Sequence, residues 1–263
     1  MNAVPSRSEV LEGLVALYFR LNGYFCIRNY LYHRALRDFA IQGASGLATE
    51  SDILALRMAH QVEELPNGAA QQNDPLLVVP VDRAKTDCVI AEVKEARIEF
   101  NQPLRQTDGS GLIQSALKMF GQFPPSEFAA SCVGDCLARE LHSKLNKSEW
   151  DEFPAVVEPH RGVIVRMVVF SRCDAVYRAH RKFISLEHVL DFTRKRMQPA
   201  QVCAPYTRDS RFSPWRGIER VITQVLDEAC ACGRPPMTLD ELVNEAMRYC
   251  KSSAVQDSRT DSD

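Results

Sequence analysis

The sequence has no apolar run near the roughly 20 residues that a helix needs to cross a bilayer. It shows no signal-peptide pattern either, since its first eight residues are polar and an amphipathic segment follows. A cytoplasmic protein with reduced thiols is therefore expected. The nine cysteines are odd in number and show no repeated CxxC spacing, so neither a disulfide framework nor a structural zinc site is expected. Cys26 and Cys88 stand in apolar runs and read as small core residues. Excess charge of one sign is also missing: the formal net charge of the 263 residues is -2, which excludes a general polycation. Internal repeats are absent, which argues against a solenoid.

What is present suits an ordinary globular protein, with 45% hydrophobic and 25% charged residues. The charge is unevenly placed. Residues 161–220 hold 13 Lys and Arg against 5 Asp and Glu, and residues 221–263 hold 4 against 8. The basic stretch is expected to face phosphate, through Arg194, Lys195 and Arg196 or through Arg208, Arg211, Arg216 and Arg220 around Phe212 and Trp215. A solvated surface is the plainer reading.

Apolar periodicity predicts a helix over Ser8–Leu21, opened by a Ser6/Glu9 capping box and ended at Gly23. Strands are predicted over Tyr24–Tyr32, Glu50–Arg57, Asp87–Lys94 and Gly162–Ser171, the last as a buried central strand. Residues 58–80 read as a long irregular insert. Helices are predicted over Gly111–Phe120, Phe128–Leu145, Leu186–Met197, Trp215–Cys230 and Thr238–Cys250. Thr238 and Glu241 form a second capping box.

The order is helix, strand, strand, strand, helix, strand, and acids stand on two of the strands. Asp52 interrupts the apolar run E-S-D-I-L-A-L-R. Glu92 and Lys94 close D-C-V-I-A-E-V-K and share a face, being two residues apart. An acid inside an apolar strand is unfavourable unless paired or bound to a metal. If the strands pair across the insert, two carboxylates meet beside an amine. That set suits magnesium, which takes one or two carboxylates plus waters and substrate phosphates. It also suits phosphodiester hydrolysis, in which a cation neutralises developing charge and a lysine holds the water.

These residues resemble the PD-(D/E)XK nuclease superfamily. E-S-D-I-L-A-L-R is similar to its aspartate strand, with Ser51 where the motif's name has proline, and V-I-A-E-V-K to its E-x-K strand. E-G-L-V-A-L-Y-F-R-L-N-G-Y-F resembles the first helix and turn of Mrr-type restriction enzymes and Holliday-junction resolvases. The resemblance covers about residues 8–171. It implies an α/β fold with a restriction-endonuclease-like core, a central mixed β-sheet flanked by helices. It implies an Mg2+- or Mn2+-dependent endonuclease acting on DNA in restriction, repair or phage defence. Asp52 and Glu92 would bind the metal with their side chains and Val93 with its carbonyl. Lys94 would position the attacking water, and Glu12 matches a helix glutamate that relatives place near the metal. Gln114 stands where some relatives contact DNA or the lysine, and Glu50, His33 and His60 lie near the site in sequence. A homodimer is in keeping with nucleases that cut both strands. The expected domains are a nuclease-like domain over 1–200, a helical C-terminal extension over 201–251 and a disordered tail over 252–263. The alternative is a catalytically silent core that binds nucleic acid or serves assembly.

Overall fold

The computed structural model describes residues 4–33, 47–61, 73–78, 84–107, 109–128, 133–172, 182–197, 217–232 and 234–260. Most of the insert and the arginines at 208, 211 and 216 lie outside them, as do Phe212 and Trp215. The chain divides into two units. One comprises residues 23–61 and 75–184, and the other residues 1–22, 62–74 and 185–263. No helix among the described residues is long and apolar enough to cross a membrane.

The first unit is α/β, with a mixed sheet of six strands. These are β1 (Phe25–His33), β2 (Leu47–Arg57), β3 (Thr86–Lys94), β4 (Ala155–Glu158), β5 (Val163–Ser171) and β6 (Ile184–Ser185). The order is β1-β2-β3-β5-β4, with β6 also on β5. The pairs β1–β2, β2–β3 and β4–β5 are antiparallel, whereas β3 and β5 run parallel. Every residue of β5 is buried, as the apolar run V-I-V-R-M-V-V-F predicts for an inner strand.

Alternation sorts the side chains of these strands onto two faces. Leu54, Cys88, Ile90, Val165, Met167 and Val169 form one apolar cluster. Two helices contribute Ile113, Leu117, Leu137 and Leu141 to it: α4 (Gly109–Met119) and α5 (Val133–Leu145). Before α4 come the short helices α2 (Pro75–Val78) and α3 (Gln102–Arg105). The alternate residues of β3 and β5 bring Asp87 and Arg166 together on the opposite face. There Arg166 Nη2 lies 2.7 Å from Asp87 Oδ2 and 2.8 Å from the Leu77 carbonyl.

The second unit is helical: α1 (Arg7–Leu21), α6 (Leu186–Met197), α7 (Ile218–Ala231) and α8 (Leu239–Thr260). Both predicted capping boxes form, at Ser6/Glu9 and at Thr238/Glu241. Helix α1 packs against α6, α7 and α8. Gly13 permits the close approach of α7, because a Cβ there would stand 2.5 Å from Ile218 Cγ2. The expected division at residue 200 therefore differs from the observed one. The first helix belongs with the C-terminal helices, not with the sheet that follows it in sequence. The expected tail differs as well, since α8 runs on through Ser252–Thr260. An i, i+3 pair on this helix, Arg248 with Glu245, precedes that stretch.

Candidate functional site

The ladder between β2 and β3 pairs Leu54 with Ile90 and Ile53 with Ala91. One further step in that antiparallel register sets Asp52 opposite Glu92. Asp52 continues the face of Leu54, and Glu92 and Lys94 continue the face of Cys88 and Ile90. The row is apolar under the helices and becomes ionic at its end. The separation of 39 residues between Asp52 and Glu92 does not prevent the pairing.

Lys94 Nζ lies 2.6 Å from Glu92 Oε2 and 3.6 Å from Asp52 Oδ2. It also donates to Asn101 Oδ1 at 2.9 Å. Asp52 Oδ2 accepts the Val93 backbone N–H at 2.5 Å, so the backbone of Val93 meets the Asp52 carboxylate. Ser51, in the motif's proline position, donates its hydroxyl to the Ala91 carbonyl at 3.2 Å and ties β2 to β3 from its side chain. Glu92 is fully buried, and its Oε1 has no hydrogen-bond partner. An unsatisfied buried polar atom costs about 1–3 kcal/mol, and more if charged.

With both carboxyls ionised, the site's two carboxylates and one ammonium would carry one negative charge in surplus, and burial opposes that state. Burial pushes the Glu92 carboxyl up from 4.5 to about 8, with the Asp52 and Glu50 charges adding to it and Lys94 opposing. Burial likewise raises Asp52, against Lys94 and the Val93 N–H. For Lys94 burial acts downward, yet Glu92 and Asp52 outweigh it and the amine titrates above its usual range. Among the described residues no three His, Cys, Asp or Glu side chains are grouped to hold a metal ion. A cation at Asp52 and Glu92 would complete its shell from backbone, water or substrate, in the manner of magnesium. The unpartnered Oε1 fits such an ion, whose charge would let the Glu92 carboxyl ionise.

This electrostatics has a measurable consequence for stability. A carboxyl whose folded pKa lies above its unfolded one keeps a proton in the folded state that the unfolded chain has lost. Folding is then weakened as pH rises from about 4.5 towards about 8. Wild-type protein in chelator should lose stability on the order of a few kcal/mol across that window. Glu92→Gln should flatten the slope, and Mg2+ should restore stability near pH 8. Urea midpoints at a series of pH values check this, and equal slopes in the two proteins would contradict it.

Comparison with family models, curated proteins and solved structures finds no match to this chain. The resemblance to PD-(D/E)XK nucleases rests on the motif residues of the sequence.

The other residues singled out in the sequence fare differently. Glu12 lies on α1 in the helical unit, where Ser8 Oγ donates to its Oε1 at 2.9 Å. Gln114 donates to Asp135 on the neighbouring helix α5. His60 follows β2 at φ 57°, past the Arg57–Asp87 end of the ladder, whereas Lys94 closes the other end. Asn101, which the sequence reading passed over, is the neutral partner of Lys94.

The basic stretch expected to face phosphate has partners within the chain at several of its described members. Arg194 and Lys195 both pair with Asp191, at 2.7 and 2.6 Å. Arg196 is buried and lies over the Phe192 ring. Arg166 is buried against Asp87, and Arg161 pairs with Glu127. Arg194 and Lys195 share the one charge of Asp191, so this pair keeps one positive charge in surplus, and Lys195 stays exposed. Arg208, Arg211, Arg216, Phe212 and Trp215 lie outside the described residues.

Proposed function

We propose that this chain is a metal-dependent endonuclease that hydrolyses DNA phosphodiester bonds on a PD-(D/E)XK-type core. The observation that carries the reading is the convergence of Asp52, Glu92 and Lys94 at the ionic end of one sheet face, with one buried carboxylate oxygen unpartnered. Asp52 and Glu92 would hold Mg2+ or Mn2+ with their side chains, and Val93 with its carbonyl. The ion would supply charge neutralisation at the phosphate and a more acidic water. Lys94 holds and orients the attacking water through its N–H donors. Glu12 enters the reading by resemblance alone.

One observation favours a second reading, a silent core that binds nucleic acid or serves assembly. The Lys94 ammonium already contacts both carboxylates and neutralises part of their charge. Calorimetric titration with Mg2+ and Mn2+ separates the two readings. The nuclease reading predicts weak binding without DNA, because substrate oxygens complete the shell, and its loss in Asp52→Asn. Heats that are the same for wild type and Asp52→Asn would remove Asp52 from the metal set.

A further inference from the structure

We propose that Asn101 is a positioning residue for Lys94, the side chain that fixes where the amine points in the nuclease reading, on which this inference rests. Lysine carries its charge on a flexible four-carbon stem, so its ammonium needs fixed acceptors to hold one place. The three N–H donors of Lys94 have Glu92 Oε2 at 2.6 Å and Asn101 Oδ1 at 2.9 Å as hydrogen-bond acceptors. Asp52 Oδ2, at 3.6 Å, is an ion-pair neighbour. Asn101 is the one of the three that adds no charge. It also comes from the chain after β3, so it anchors the amine to a different element.

The amide of Asn101 is itself fixed. Its Nδ2 donates to the Glu50 backbone carbonyl at 2.8 Å. A carbonyl only accepts and an ammonium only donates, so Nδ2 must face Glu50 and Oδ1 must face Lys94. The flipped amide would lose both bonds. Asn101 also stands at the N-cap of α3, where asparagine ordinarily accepts from the backbone N–H of the second or third helical residue. Here it makes no such bond. Pro103 has no N–H, and the Leu104 N–H is already taken by the Asn101 carbonyl at 3.0 Å. A residue type favoured for capping is thus released from capping and turned to the site. Together Glu50 and Asn101 link β2 to the amine at the end of β3.

The test is a double-mutant cycle on DNA cleavage with a second readout that needs no activity. Asn101→Ala should lower kcat roughly 10- to 100-fold, the range that a reacting group misplaced by about 1 Å loses, with KM for DNA little changed. In a Lys94→Ala background the same substitution should cause no further loss. Losses that multiply in the double variant, or an unchanged kcat in Asn101→Ala, overturn the proposal. The second readout is the 15N ammonium resonance of Lys94 in the intact chain. An ordered signal should be present in wild type and lost in Asn101→Ala. A Lys94 signal unaffected by Asn101→Ala overturns the proposal even if the protein cleaves nothing. Wild type that cleaves nothing but shows the Asn101-dependent signal sinks the nuclease reading and upholds the positioning. Should Asn101→Ala fail to fold, Asn101→Leu serves. It keeps the size but offers neither an acceptor to Lys94 nor a donor to Glu50, and is expected to lower kcat and disorder the same signal.

Discussion

Lys94→Ala is expected to slow DNA cleavage by about 10²–10⁴-fold, the contribution that a positioned proton-handling group makes. On the proposed reading the loss should fall on kcat, because the carboxylates that would hold the cation are untouched. The protein should remain folded. Lys94 sits at the boundary of the buried row, and Glu92, whose carboxyl already titrates far above its usual range, holds its proton more firmly once the ammonium is gone. The substitution has a second, opposite effect that makes it diagnostic. The ammonium competes with any cation for Glu92 Oε2 and Asp52 Oδ2, so its removal should tighten Mg2+ binding while cleavage collapses. Single-turnover rates together with a Mg2+ titration check both halves. A Lys94→Ala protein that cleaves at the wild-type rate would remove Lys94 from the chemistry.

The largest effect on stability is expected away from the site, at Arg166. Arg166 and Asp87 are buried together, and the Asp87 carboxylate accepts from Arg166 Nε and Nη2 and from the Tyr24 hydroxyl at 2.5 Å. Burial, with the Asp87 charge added, keeps the Tyr24 hydroxyl protonated well above its usual range, so it serves as a donor. Arg166→Met removes the cation and leaves a carboxylate in the interior. Breaking a buried pair in this way costs about 3–5 kcal/mol. The double variant Arg166→Met/Asp87→Leu should recover much of that, because it removes both desolvated charges. Urea unfolding of the two single variants and the double one gives the comparison. A loss below about 1 kcal/mol in Arg166→Met would show that the pair is dispensable.

Residues that state their environment locally were readable in the sequence. Helix α1 announces its start through Ser6 and Glu9. Strands β2, β3 and β5 announce themselves through apolar runs, and β3 announces its end where Glu92 and Lys94 break the pattern. Asp52 was readable because an acid within an apolar strand needs a partner. The rest depends on contacts that no local pattern records. Asp87 and Arg166 lie 79 residues apart, and each looks alone like a stray charge at a strand. Asn101 looks like a helix cap, and only the geometry shows the Lys94 amine in front of it. The grouping of α1 with α6, α7 and α8 depends on Gly13 admitting Ile218, more than 200 residues away. The four-residue β4 offers too short a run to be separated from a loop. The ion pairs of the cluster Arg194–Arg196, by contrast, were legible locally. Asp191 stands three and four residues before Arg194 and Lys195, the spacing at which helical side chains pair.

The central claim is that Asp52, Glu92 and Lys94 form a cation-dependent centre for phosphodiester hydrolysis. The most direct measurement is cleavage of duplex, branched and single-stranded DNA by the full chain, with Mg2+, with Mn2+ and with chelator, beside Glu92→Gln. The account predicts that at least one DNA form is cut by wild type when the cation is present, that chelator stops the reaction, and that Glu92→Gln is inactive while folded. Absence of cleavage on every form, or cutting that persists undiminished in Glu92→Gln, would contradict it.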